Sequence, residues 1–255
     1  MNRIALHQST VYPMDPIALV AVAQAAGVDS IGLRVATADD EQAWWTKGLG
    51  SPTLRDLVTA LLSSSVTVLD VGRVELGPEL RVVDGRHAYV RALEIGVRLG
   101  AQYVTARAGT GDPRELFGLL AELAAPYQLR ALMTAVPGTG VDTVEQAVEV
   151  VSGTRGGVVL DVSPLDDPDD LAETLVLLGD QLGYVRVAAR AIESGPAVAG
   201  LLAGLPPQVA VAIGTAPGDA PTAPGPIGTD HVVRAAGLRA AVDAMLRHPQ
   251  SSATR

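Results

Sequence analysis

Eight short runs of mostly β-branched and aliphatic residues recur along this 255-residue chain, and a longer segment with helical spacing follows each of them. That alternation marks repeated strand–helix–strand units, which build parallel sheets because a parallel pair needs a long crossover connection. The runs fall at 3–7, 30–35, 67–71, 103–106, 130–133, 157–160, 184–187 and 208–213. Eight units in roughly 250 residues fit a closed (β/α)8 barrel. A doubly wound open sheet usually uses fewer strands and a glycine-rich turn after the first, and no such turn follows residues 3–7. The fold class expected is α/β, a single TIM-barrel domain over residues 1–250, with a flexible tail at 251–255.

Aromatic residues are only 3% of the chain, with one Phe, so the core must come from Ala, Val and Leu. That suits helices packed on parallel strands better than a β-sandwich. Asp15-Pro16, Asp112-Pro113 and Asp167-Pro168 each set a capping carboxylate before a proline that fits the first helical position. Amphipathic spacing predicts helices over 86–99 and 231–246. Two long stretches follow strands and would lie on the ligand face of a barrel: 36–52, which carries Trp44 and Trp45, and the Pro- and Gly-rich 214–230.

Lys and Arg number 19 against 28 Asp and Glu, a net charge of −9 that argues against nucleic acid as a partner. The absence of Cys excludes disulfides, thiolate metal sites and thiol nucleophiles. The first residues run straight into a strand pattern without the apolar core of a signal peptide, and no 18-residue apolar run follows. These features lead us to expect a cytoplasmic protein that binds neither membrane nor nucleic acid; the sequence is compatible with a homodimer.

Several segments carry a resemblance. Leu69-Asp70-Val71, Leu76-Gly77-Pro78 and Gly96-Val97-Arg98-Leu99-Gly100-Ala101-Gln102-Tyr103-Val104 resemble the third and fourth units of the bacterial sugar phosphate isomerase/epimerase family, the xylose isomerase-like TIM barrels. Glu122-Leu123-Ala124-Ala125-Pro126-Tyr127 with Leu129-Arg130 is similar to that family's run into strand five, and Gly157-Val158-Val159-Leu160-Asp161 to strand six. The resemblance implies proton transfer assisted by one divalent metal. Its ligands would be a Glu ending strand five, an Asp ending strand six, a His after strand six or on strand seven, and a Glu ending strand eight. Here the corresponding positions read Thr134, then Asp161 followed by Val162-Ser163-Pro164, then Ala188-Ala189-Arg190, and Ala212. A hard cation needs several charged or strongly dipolar ligands, and a lone Asp does not supply them. The expectation is a divergent member with most metal ligands missing, no metal and no other cofactor.

In a barrel, chemistry sits at the C-terminal ends of the strands. Reading those ends in order gives His7, Arg34, Asp70 with Arg73, Arg107, Thr134, Asp161 with Ser163, Arg190 and Thr215. Arg34, Arg73, Arg107 and Arg190 come from four strands, and guanidinium forks suit carboxylate or phosphate. In an acidic protein that concentration points to a small anionic ligand, with Trp44, Asp70 and Thr134 as further binding residues. His7 is the candidate acid/base and Asp161 its companion, either as a base or as the partner that orients an arginine. The activity expected is that of an isomerase, epimerase or lyase on a sugar-like or keto-acid substrate, with fixed positive charge in place of a metal. A catalytically inactive relative that binds a ligand or partner remains the alternative.

Overall fold

A computed structural model describes residues 2–11, 14–35, 52–164, 166–194, 196–215 and 229–247. Eight strands close into one barrel: β1 (Ile4–His7), β2 (Ser30–Arg34), β3 (Thr67–Leu76), β4 (Tyr103–Ala108), β5 (Arg130–Thr134), β6 (Gly157–Val162), β7 (Leu182–Ala188) and β8 (Ala210–Gly214). Each strand pairs in parallel with the next, and β1 pairs with β8. The helices between them are α1 (Pro16–Ala25), α2 (Pro52–Ser63), α3 (His87–Leu99), α4 (Pro113–Ala124), α5 (Val144–Val151), α6 (Pro168–Leu178), α7 (Ala189–Ser194), α8 (Pro196–Ala203) and α9 (Thr229–Arg247). Among the described residues no helix is long and apolar enough to cross a membrane.

The helix starts follow from local chemistry. Asp15 accepts from the backbone N–H of Ile17 at 2.8 Å, Asp112 from Arg114 at 3.0 Å and Asp167 from Asp169 at 2.9 Å, each with proline at the first helical position. Thr143 and Gln146 close a capping box on α5. Gly100 ends α3 in the left-handed region at φ 68°, which glycine enters without a Cβ penalty.

Strand β3 departs from the expected span, continuing to Leu76 where the sequence pattern stops at 71. Tyr89 on α3 explains the extension. Its hydroxyl donates to the Glu75 carbonyl at 2.8 Å and accepts from the Gly77 N–H at 3.0 Å, which holds the strand end straight over the barrel rim. Glu75 thereby comes opposite Arg107 on β4.

Two buried apolar layers result from the strand period of two. The larger one fills the space between barrel and helices, with Leu6, Ile31, Val104, Met133, Leu160 and Ile213 meeting Leu19, Leu93, Phe117 and Leu120. The smaller one plugs the barrel interior with Ala5, Leu69, Leu132, Val159, Tyr184, Ala210 and Ala212, and Tyr103 packs against it. The rings of Tyr103 and Tyr184 lie 5.8 Å apart at 38°. The barrel is therefore closed below by apolar side chains. The next inward residues toward the C-terminal ends are polar, and they form the candidate site.

Candidate active site at the barrel mouth

His7 ends β1 and is almost wholly buried. Its Nδ1 accepts from the Ser9 backbone N–H at 3.2 Å, and the Ser9 hydroxyl lies 2.8 Å from the same nitrogen. An Nδ1 that accepts from a backbone donor carries no proton, so the hydrogen-bond pattern assigns the proton to Nε2 and makes Ser9 Oγ a second donor. Nε2 faces Asp70 Oδ2 across 3.7 Å. Gly32 of β2 makes that approach feasible, because a Cβ there would stand 2.4 Å from both Asp70 Oδ1 and His7 Cδ2. Asp70, expected to face the ligand, is instead fully buried beside His7, and neither carboxylate oxygen has a hydrogen-bond partner among the described residues. Below it, burial and the Asp70 charge together push the Tyr184 hydroxyl pKa well above its ordinary value.

On the opposite wall, Asp161 of β6 and Arg186 of β7 sit in register as neighbours. Arg186 Nε donates to Oδ1 at 2.5 Å and Nη2 to Oδ2 at 2.7 Å, a bidentate pair with Arg186 only 5% exposed. Burial is the largest single influence on the Arg186 pKa and lowers it, but the charges of Asp161, Tyr184 and Asp70 and the hydrogen bonding to Asp161 together outweigh it and raise the value. The Arg186 stem lies across Gly214 of β8, where a Cβ would come within 2.7 Å of its Cγ. Of the two roles the sequence allows Asp161, the geometry realises the orienting partner of an arginine. The arginine it orients lies within a strand and was missed in the strand-end reading.

Arg73 stands half-buried beside this pair and has no hydrogen bond or ion pair among the described residues. Burial lowers its pKa to about 10, as do the like charges of Arg186, Arg107 and Arg34, while Asp161 alone opposes them. Three of the four expected arginines therefore do come together. Arg107 is partly engaged, since its Nε donates to Glu75 Oε2 at 3.0 Å and its Nη2 meets the same oxygen. The fourth expected member, Arg190, lies on α7, is exposed, and is not among the charges bearing on Arg73. It follows the end of β7, whereas Arg186 points inward two residues before that end. Trp44 and Trp45 lie outside the described residues, as do residues 36–51, 216–228 and 251–255.

Thr134 ends β5 and is fully buried, its Oγ1 without a partner among the described residues, like Thr105 Oγ1 on β4. The fit to a divalent metal can be judged from these neighbours. Thr134 offers a neutral oxygen, both Asp161 oxygens are bound by Arg186, and Ala212 belongs to the apolar plug. Among the described residues no three His, Asp or Glu side chains are grouped to hold an ion. The donor set does not fit the metal centre that the resemblance implies. The Gly138-Thr139-Gly140 turn folds onto Asp142, which accepts from Gly138 N–H at 2.6 Å and Thr139 N–H at 3.1 Å, so these N–H groups reverse the chain. In the run 166–170, Asp166 accepts from Ser163 N–H and Asp167 caps α6.

No protein-family model matches the chain, and no curated protein does. Solved structures do. A D-allulose 3-epimerase from Methylomonas sp. superposes with a TM-score of 0.72 at 12% identity, covering 96% of this chain and 98% of that one. The IOLI protein, solved with a binding zinc atom, gives 0.69 at 14% identity, covering 98% and 99%. The fold shared with these structures is a (β/α)8 TIM barrel. A fusion protein of such a barrel with a 4-hydroxyphenylpyruvate dioxygenase gives 0.69 at 18% identity; it covers 96% of this chain, which spans only 43% of the fusion's length. At these identities the likeness establishes the fold and leaves the chemistry to the residues of the mouth.

Proposed function

We propose that this barrel is a metal-independent enzyme of the isomerase, epimerase or lyase type, acting on a small anionic sugar-like or keto-acid substrate. The observation that carries the reading is Arg73. A half-buried guanidinium among three other arginines, with no counter-ion among the described residues, is electrostatically unsatisfied until an anion joins it. Epimerases among the solved barrels of this shape, acting on D-allulose and on a 3-keto-D-glucoside, support the reaction class by analogy of fold.

The mechanism follows from the proton chain on the facing wall. A substrate anion held by Arg73, with Arg34 and Arg107 nearby, would set the adjoining carbon or hydroxyl toward β1. Ser9 Oγ already donates toward His7 Nδ1, so a proton taken by Ser9 passes to the imidazole. The resulting imidazolium stands 3.7 Å from Asp70, whose buried carboxylate stabilises it. Positive charge on the other wall would meet the electron pair left behind on oxygen.

The test is a thermal-shift screen of the purified chain against phosphorylated sugars, keto acids and sugar acids, followed by a turnover assay with each binder. Binding and turnover that are both lost in Arg73→Ala, with turnover alone lost in His7→Gln, is the expected result. Binding without turnover across the panel would replace this reading with that of an inactive ligand-binding relative. A stoichiometric divalent ion whose removal abolishes turnover would overturn metal independence.

A further inference from the structure

Arg186 is the most deeply buried arginine at the mouth, yet its guanidinium is not used up. Two of its nitrogens, Nε and Nη2, are committed to Asp161. The third, Nη1, has no hydrogen-bond partner among the described residues and is not among the atoms cut off from solvent. The cation is fixed in place, with the carboxylate behind it, the Gly214 backbone beneath its stem and the apolar plug under both. One donor is left open. Its charge also falls more heavily on Arg73 than that of any other residue, so the two guanidinium groups are neighbours at the mouth.

We infer that Arg186 is a resident cation of the site, held by Asp161, whose open Nη1–H binds and polarises a second oxygen of the substrate next to the anionic group that Arg73 anchors. The inference rests on the anionic-substrate reading above and deepens it by naming the substrate class: small acids that carry a keto or enolate oxygen beside the carboxylate. A guanidinium held by a buried carboxylate cannot leave with product, does not exchange with solvent cations, and presents its N–H without reorganising during the reaction. An enolate formed when His7 accepts a proton would put its charge on that second oxygen. The proton goes to Nδ1 by way of Ser9, the electron pair of the broken C–H bond moves onto the oxygen, and no oxidant or other co-reactant is needed. The same arrangement accounts for the misfit to a divalent ion, since Arg186 already holds the Asp161 oxygens that a metal would use.

Oxalate, a planar mimic of such an enolate, is the probe. Isothermal titration of the full chain should show oxalate binding that weakens roughly tenfold or more in Arg186→Lys, whose ammonium satisfies Asp161 but leaves no fork for the ligand. The melting temperature of the variant, measured alongside, shows that it is folded. Should Arg186→Lys unfold, Arg186→Gln combined with Asp161→Asn replaces the ion pair by a neutral amide pair and is expected to show the same loss. Oxalate affinity within twofold of wild type in a folded variant would overturn the role of Arg186, and wild type that fails to bind oxalate would overturn it as well. The anion-anchor reading is judged separately by Arg73→Ala with inorganic phosphate. Equilibrium dialysis against Mn²⁺ and Zn²⁺ gives a readout independent of activity: no stoichiometric ion is expected on wild type, and one that Asp161→Asn removes would refute the resident-cation role.

Discussion

Replacing Arg73 by Met should stabilise the empty protein while abolishing its affinity for anions. In the folded chain the guanidinium is half-buried, faces Arg186, Arg107 and Arg34, and has no partner among the described residues. Burial and these neighbours lower its pKa to about 10, against a free-arginine value more than two decades higher, which at 1.36 kcal/mol per decade is about 3 kcal/mol against the charged form. At neutral pH the group is charged in both folded and unfolded chains, so the folded state carries this penalty in full. Residual solvent exposure screens part of it, leaving about 1–2 kcal/mol for Met to recover. Met also keeps the apolar volume of the stem. In a chain of this length that gain corresponds to a melting temperature higher by roughly 2–8 °C. The assay is urea and thermal denaturation of both proteins at low salt, each with and without inorganic phosphate. Wild type should be stabilised by phosphate and the variant should not, and raising the ionic strength should narrow the gap between the empty forms. A variant less stable than wild type by 1 kcal/mol or more would mean that Arg73 has a counter-ion in the folded chain, and the argument for an unsatisfied cation would fall.

Asp161→Ala leaves Arg186 buried without its partner and should cost about 3–5 kcal/mol in urea denaturation, whereas Asp161→Leu with Arg186→Met should restore most of that stability without restoring ligand binding. Gly32→Ala sets a methyl 2.4 Å from Asp70 Oδ1 and His7 Cδ2, so an unfolding measurement should show a loss of about 1–3 kcal/mol, and turnover should fall by more than phosphate affinity. Removing the α4 cap with Asp112→Ala should cost about 1 kcal/mol and leave ligand affinity unchanged; a change in affinity would tie this helix end to the site.

The sequence alone was sufficient for those features whose causes are local. Strand–helix alternation, Asp-Pro caps and closing glycines each act within a few residues, so the eight units and the helix starts at Pro16, Pro113 and Pro168 were readable from the chain. Strand ends are only partly local: the residue pattern ends β3 at 71, whereas the Tyr89 hydroxyl of α3 holds the strand to Leu76, so Arg73 lies within it. Pairing between strands is not local. Asp161 meets Arg186 because β6 and β7 shift register between Val158 and Val159, and no pattern within either strand encodes that shift. The one available signal was an arginine at the same strand period as Tyr184 in an otherwise apolar run, since a charge on the inner face of a buried strand needs a counter-ion. Asp70 likewise read as a ligand-facing carboxylate at a strand end. A register shift between Ile31 and Gly32 and the bare backbone of Gly32 set it instead beside His7. Local chemistry thus brought Arg34, Arg73 and Arg107 into the reading but not Arg186. Only the closure of the barrel, which fixes the stagger of every strand against its neighbours, decided which of those charges neutralise one another and which, like Arg73, are left without a partner among the described residues.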